Sequence, residues 1–348
     1  MYNMDKITII DQSSIDILPS DNLKSDNLPS DNLKSDNLPS YNLTINNLTI
    51  DNLTINNLTI NNLKLDVVDL LLRTDIDNFI KYQITQITQI TQITQNTQNT
   101  QITQNNNYQI EIDIEQFNKY LNLPDIKIFV KLLNNYHSDL SIAESYDDEK
   151  LSDIKNFLNV LKTKTYFQNI SNKYSIDIDQ LTKIADHMFF DLYNNINSKS
   201  NLLNTCGFEH IFVGENSEKK IESGFHCWIQ LFIKMINKEI SNLDIKHNKN
   251  IIDDDKYNQL YLTDDTKSNK TIIQFSMMIN SNKKKSDNII IGIDPYVEVS
   301  IYLLMFLYAK TNNMKKFTLK LSDLSFNVDL KLGTMGDYFR TCYFILNI

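Results

Sequence analysis

Two of the five histidines, His210 and His226, stand 16 residues apart in a chain with only six glycines, and three of those glycines surround them. The segments read Gly207-Phe208-Glu209-His210-Ile211-Phe212-Val213-Gly214-Glu215 and Ser223-Gly224-Phe225-His226-Cys227-Trp228-Ile229. Imidazole titrates near neutrality, so one ring of such a pair can take a proton while the other gives one. Glycine marks places where backbone bends or another group comes close. Two further readings stand beside this one. The rings are metal ligands, although no third ligand lies at a recognised spacing and Cys227 adjoins His226 instead of lying a turn away. Alternatively, each is a structural histidine satisfied in the core or at the surface. A lysine run, Asn282-Lys283-Lys284-Lys285-Ser286, is either a solvated loop or a source of a site cation.

These segments carry a resemblance. GFEHIFVGE (207–215) followed by SGFHCWIQ (223–230) resembles the signature of the EndoU family of uridylate-preferring endoribonucleases, whose usual forms are close to GFEHVFVGE and GFHNWI. FVKLLNNY (Phe129–Tyr136), FLNVL (Phe157–Leu161), FDLY (Phe190–Tyr193) and IGIDPYVEVSIYLLMF (Ile291–Phe306) follow the family order, the last being similar to its IG-x-SPEFE-x-A-x-Y segment. The resemblance runs from Tyr108 to Ile348.

It implies an endoribonuclease that cleaves single-stranded RNA at uridylates. The 2′-hydroxyl attacks the adjacent phosphate, the products carry 2′,3′-cyclic phosphates, and DNA is inert because it lacks the nucleophile. It implies His226 as general base and His210 as general acid, an assignment that can be inverted without changing the chemistry. The family's third residue is a Lys eight positions before the Gly of the IG pair. Counting back from Gly292 gives Lys284, with Lys283 and Lys285 as alternatives because the glycines that usually follow are absent. Arg340-Thr341-Cys342-Tyr343 resembles the family's Thr-x-Tyr or Ser-x-Tyr element, which makes Thr341 and Tyr343 candidates for uracil and ribose contact. Tyr343 is equally readable as a core aromatic. Glu209 and Glu215 are supporting residues that either orient His210 or attract the divalent ion, Mn²⁺, that the resemblance implies as cofactor. The other reading of Glu209 is a strand residue that faces away from His210 and adds only solubility. Trp228 is read as core in preference to a stacking platform. Cys227 stands where Asn is usual, and Asp294 and Tyr296 alter the SPEFE pattern, so altered base preference is expected before loss of activity.

The elements that must position these residues follow from periodicity. Asp125–Tyr136, Lys150–Lys162, Asp177–Asn195 and Asp294–Ala309 repeat apolar residues at helical spacing. Glu209–Val213, Thr271–Ile279, Asn288–Ile291, Lys316–Leu321 and Tyr338–Leu346 read as strands. Helices first and strands later indicate an α+β fold, with a helical N-terminal part of the catalytic region followed by antiparallel sheets.

Low-complexity repeats precede it. Residues 1–64 contain a pentapeptide-like tract in which Leu recurs every five residues from Leu18 to Leu63. Its Asp or Asn two places before each Leu does not suit the small inward residue of a pentapeptide β-helix, so the tract reads as disordered. Residues 65–107 hold one short helix, marked by Val67, Val68, Leu70, Leu71 and Leu72, and a Thr-Gln-Ile/Asn tract whose period of three keeps no face buried. That tract reads as a polar linker with a tendency to β-aggregation. Residues 108–348 form the endoribonuclease region.

The 348-residue chain has a net charge of −9, which argues against a nucleic-acid-coating or polybasic membrane protein but leaves room for a local basic site. Residues 1–107 carry 12 acidic and 6 basic residues, so most of that excess lies outside the region of interest. Three cysteines without repeating spacing do not make a disulfide framework. Neither a signal peptide nor a membrane span is seen, so an intracellular, cytoplasmic monomer is expected. Two competing readings are a catalytically weak RNA-binding protein of the same fold, and an interaction protein driven by the repeats.

Overall fold

The computed structural model describes residues 55, 58–72, 82–96, 99–194, 203–216, 222–251, 270–335 and 338–348. Residues 1–54, which hold nearly all of the pentapeptide tract, lie outside them. Helix α1 (Ile60–Leu71) begins where Thr59 accepts a hydrogen bond from the Asn62 backbone N–H. Leu63, Val67, Leu70 and Leu71 then fall on one buried stripe.

Five helices follow in sequence: α2 (Ile114–Leu121), α3 (Pro124–Leu133), α4 (Asp148–Thr163), α5 (Thr165–Tyr174) and α6 (Ile178–Phe190). Asp113, Asp147 and Asp177 cap three of them through their carboxylates, and Pro124 opens α3. Helix α7 (Trp228–Ile236) and helix α8 (Pro295–Thr311) lie among the strands. Asp294 caps α8, which is buried on nearly every side and takes α1 against it.

Strands β1 (Tyr82–Asn96), β2 (Asn99–Ile112), β5 (Ile240–Asn250), β6 (Thr271–Ile279) and β7 (Asn282–Ile291) form one antiparallel sheet in the order β1-β2-β5-β6-β7. Strands β8 (Lys316–Lys320), β9 (Val328–Met335) and β10 (Tyr338–Leu346) form a second, ordered β10-β9-β8, and β10 also packs on β7. A two-stranded ribbon, β3 (Glu215–Asn216) with β4 (Glu222–Ser223), lies between the two histidine segments. The α+β class is the one expected, but the helices do not all come first: the β1/β2 hairpin of the large sheet precedes α2–α6.

Three local expectations are corrected. Glu209–Val213 is a π-helical turn and not a strand, with the Gly214 N–H donating to the Glu209 carbonyl at 2.9 Å. Gly214 ends it at φ 89°, a left-handed conformation that glycine adopts without strain. The Thr-Gln-Ile tract, read as a linker, forms the hairpin β1/β2, which joins the large sheet through the Tyr108–Ile245 pair. A strand ladder is made by backbone groups, so it tolerates a side-chain period that no buried face would. The globular fold also starts earlier than residue 108, because α1 packs on α8 and the Tyr82 ring meets Phe232 at 6.3 Å. Among the described residues no helix is long and apolar enough to cross a membrane.

Candidate active site

The π turn and the loop before α7 are joined backbone to backbone. Phe225 N–H donates to the His210 carbonyl at 3.0 Å, and His226 N–H donates to the Ile211 carbonyl at 2.6 Å. Gly224 permits this approach: at φ 67°, a Cβ built there would lie 1.7 Å from the His210 oxygen. Gly207 plays a similar part at the head of the turn, where a Cβ would lie 2.7 Å from both the Met188 carbonyl and the Phe339 ring. The rare glycines therefore sit where two chain segments touch, and the two imidazoles are fixed relative to one another by main chain.

Each ring then has its own carboxylate. His210 Nδ1 lies 2.9 Å from Glu215 Oε2, and Glu215 also accepts from the Thr205 hydroxyl and, at 3.2 Å, from Ser223 Oγ. Burial pushes the Glu215 carboxyl up, but the His210 ring and these donors outweigh it and leave it below the usual glutamate range. His226 Nδ1 lies 2.8 Å from Asp287 Oδ1. Burial, reinforced by the charge on Lys284, pulls His226 down against the opposing pull of Asp287, so the net direction is below an ordinary imidazole. The buried ring is therefore neutral at neutral pH.

Lys284, on β7, is buried, whereas Lys283 and Lys285 are exposed. Its ammonium donates to the Gly224 carbonyl and lies 2.7 Å from Asp287 Oδ2. The structure thus brings Lys284, and neither of its neighbours, to the histidines. Burial pushes Asp287 up, yet His226 and Lys284 together hold it below the usual aspartate range.

Tyr343, on β10, stacks on His226, with Thr341 two residues before it on the same side of the strand. Both are half-buried, while Cys342 between them is fully buried. This is not the position of a core aromatic.

Glu209 is not the exposed solubilising residue that strand alternation would allow. Within the π turn it is completely buried, and neither carboxyl oxygen has a hydrogen-bond partner among the described residues. Burial, with Glu144 and Glu215 nearby, pushes it well above the usual glutamate range, which favours the protonated carboxyl. Trp228 is core: its indole N–H donates to the Ile293 carbonyl at 2.7 Å, and its ring packs on Tyr120 and Phe232.

The carboxylates to which the resemblance would attach Mn²⁺ do not fit that ion as they stand. Glu215 is already occupied by three donors, and among the described residues no group of three or more His, Cys, Asp or Glu could hold a metal ion.

Sequence reasoning missed Asp287. It lies at the start of the buried part of β7, next to the apolar run from Asn288 that marked the strand, and a carboxylate three residues after a candidate lysine was the available signal.

Comparison with known proteins places the geometry among relatives. The family described as "Endoribonuclease XendoU" matches residues 65–344. The chain is 27% identical over 229 residues to poly(U)-specific endoribonuclease-A of Xenopus laevis, covering 63% of this chain and 71% of that one. It is 29% identical over 195 residues to uridylate-specific endoribonuclease B of Danio rerio, covering 54% and 64% respectively. A solved structure, titled "The structure of XendoU: a splicing independent snoRNA processing endoribonuclease", shares the fold. Its TM-score is 0.52 at 18% identity, over 82% of this chain and 97% of that one.

Proposed function

The chain belongs to the XendoU endoribonuclease family, and from that premise we propose that it cleaves single-stranded RNA at uridylates through the 2′-hydroxyl, leaving 2′,3′-cyclic phosphate and 5′-hydroxyl ends. The observation that carries the reading is the main-chain clamp between the two histidines: His210 and His226 approach one another through two backbone hydrogen bonds, and Lys284 is tied to the same loop.

His226, buried and neutral, takes the proton from the 2′-hydroxyl as that oxygen attacks phosphorus. His210 gives a proton to the departing 5′-oxygen, and the Glu215 carboxylate complements the imidazolium that this role requires. Lys284 steadies the charge that develops on the non-bridging phosphoryl oxygens. The P–O bond to the 5′-oxygen breaks as the bond from the 2′-oxygen forms, so the step is a transesterification and consumes no water. Thr341 and Tyr343 hold the uridylate beside His226.

The cytoplasmic setting and the monomeric state are proposed along with this activity, as is inertness toward DNA.

The test is incubation of the full chain with uridine-containing RNA, with uridine-free RNA, and with a strand carrying a single deoxyuridine at the cleavage point. Cyclic phosphate formed after uridine alone, absent with deoxyuridine and absent in His226→Ala and His210→Ala, is expected. RNA retained without product would favour a binding protein and sink the proposal.

A further inference from the structure

Around His226 four groups converge: Asp287 and Lys284 from β7, His210 from the π turn and the Tyr343 ring from β10. Of the charged groups facing the ring, Lys284 and His210 disfavour a proton on it and Asp287 alone favours one. That carboxylate is itself buried, at 4% exposure; its Oδ1 accepts from the Asn288 N–H at 2.7 Å, which fixes the side chain, and its two oxygens each lie at ion-pair distance from one of the two residues the reaction needs. Oδ1 faces the base and Oδ2 faces the cation, at 2.8 and 2.7 Å. The circuit closes through the backbone, since the same Lys284 ammonium donates to the Gly224 carbonyl two residues before His226.

We infer that Asp287 is the positioning residue of the reaction: it holds the His226 proton on Nδ1, which directs the free Nε2 lone pair at the 2′-hydroxyl, and it couples the base to Lys284. This assignment rests on the endoribonuclease reading and adds to it a residue outside the histidine–lysine trio.

The logic is that of orienting a base through its second nitrogen. A neutral imidazole has two tautomers, and only the one with hydrogen on Nδ1 leaves Nε2 able to accept a proton. A carboxylate 2.8 Å from Nδ1 selects that tautomer and stabilises the imidazolium formed when the proton arrives. The contact is close but oblique, as acid–base contacts often are before substrate binds. Lys284 meanwhile keeps a partner for its charge until a phosphoryl group supplies another.

The experiment compares Asp287→Asn, Asp287→Glu and His226→Ala with the unaltered full chain, using a uridine dinucleotide and measuring kcat and KM across pH. Asp287→Asn is expected to lower kcat by about 10² to 10⁴ with KM changed by no more than a few-fold. With the carboxylate gone, Lys284 and burial act on His226 unopposed, so the acid-side limb of kcat/KM moves to lower pH. Asp287→Glu keeps the charge and recovers part of the rate.

A kcat within threefold of the unaltered chain, with an unmoved limb, overturns the proposal. If Asp287→Asn does not fold, nitrogen NMR of His226 in the unaltered chain decides: hydrogen on Nδ1 supports the assignment and hydrogen on Nε2 overturns it. His226→Ala separates the two levels. No uridine cleavage by the unaltered chain removes the endoribonuclease reading itself and cleavage surviving in His226→Ala removes His226 as the base, whereas an inactive His226→Ala beside a fully active Asp287→Asn removes only the role of Asp287.

Discussion

The imidazole of His226 lies flat against the phenol ring of Tyr343, with centroids 4.9 Å apart and planes 9° from parallel. A ring held on one face by stacking and at Nδ1 by Asp287 has little freedom left to turn. Tyr343→Ala should therefore lower kcat/KM about tenfold, the scale of a lost aromatic pair. Tyr343→Phe keeps the stack and should retain most of the activity. If steady-state kinetics show the Phe variant as impaired as the Ala variant, the hydroxyl and not the stack is what matters.

Gly224→Ala is expected to abolish cleavage. The new Cβ would lie 1.7 Å from the His210 carbonyl oxygen, at a φ of 67° that an L side chain rarely adopts. Relief requires the loop to leave the π turn, which separates the two imidazoles. A fall in activity of at least 10²-fold, together with a stability loss of about 1–3 kcal/mol, should appear in cleavage assays and thermal unfolding.

Glu215→Gln tests the acid side of the site. The substitution keeps size and removes the charge that faces His210 Nδ1. Cleavage should fall by about 10² or more. A substrate with a leaving group that needs no proton should recover most of that loss. Equal losses on both substrates would mean that Glu215 serves the fold and not the acid.

Stability should depend on α1. Leu63, Val67 and Leu71 are fully buried in that helix, and Asp66 reaches Lys173 and the Tyr174 hydroxyl on α5. Leu71→Ala should cost about 2–5 kcal/mol in chemical denaturation. A chain starting at residue 108 should unfold at lower denaturant than one starting before α1, because the α8 surface beneath that helix is then exposed.

Glu298, buried in α8 and bonded at 2.5 Å by the Tyr302 hydroxyl, is pushed up to about 8 by burial. The folded protein therefore holds this proton where the unfolded chain, with an ordinary glutamate near 4.3, has released it. Stability falls as pH rises from the ordinary value to about 8 and levels off above it. In Glu298→Gln that slope should flatten, and the variant should be the more stable protein at pH 8. Denaturation at a series of pH values reads the difference directly; an unchanged slope would show that the carboxyl ionises without penalty.

The chemistry was more legible than the frame that holds it. His210 and His226 stood out because glycines flanked them, and those glycines are the points of contact between the two segments. The strands Thr271–Ile279 and Tyr338–Leu346 were readable to the residue because alternating or continuous apolar side chains mark them. Strand β5 was not, because among its many polar residues only Ile245 is buried. The burial of Glu209 was hidden for a different reason: a π turn advances by neither the strand period nor the α-helical one, so no alternation argument reaches it. Asp287 needed the third dimension, since nothing along the chain tells a strand carboxylate that it will meet a histidine 61 residues earlier.

The ribbon between the histidine segments gives the site a tolerance for insertion. Glu215 pairs with Ser223 and Asn216 with Glu222, so the chain leaves and re-enters the site through two strand ends already joined. The number of residues spliced between Asn216 and Glu222 is then free to drift over evolution without moving either imidazole, and a search for distant relatives should let that gap vary. The same junction, between strand ends already joined, is a place to graft a fluorescent or affinity peptide.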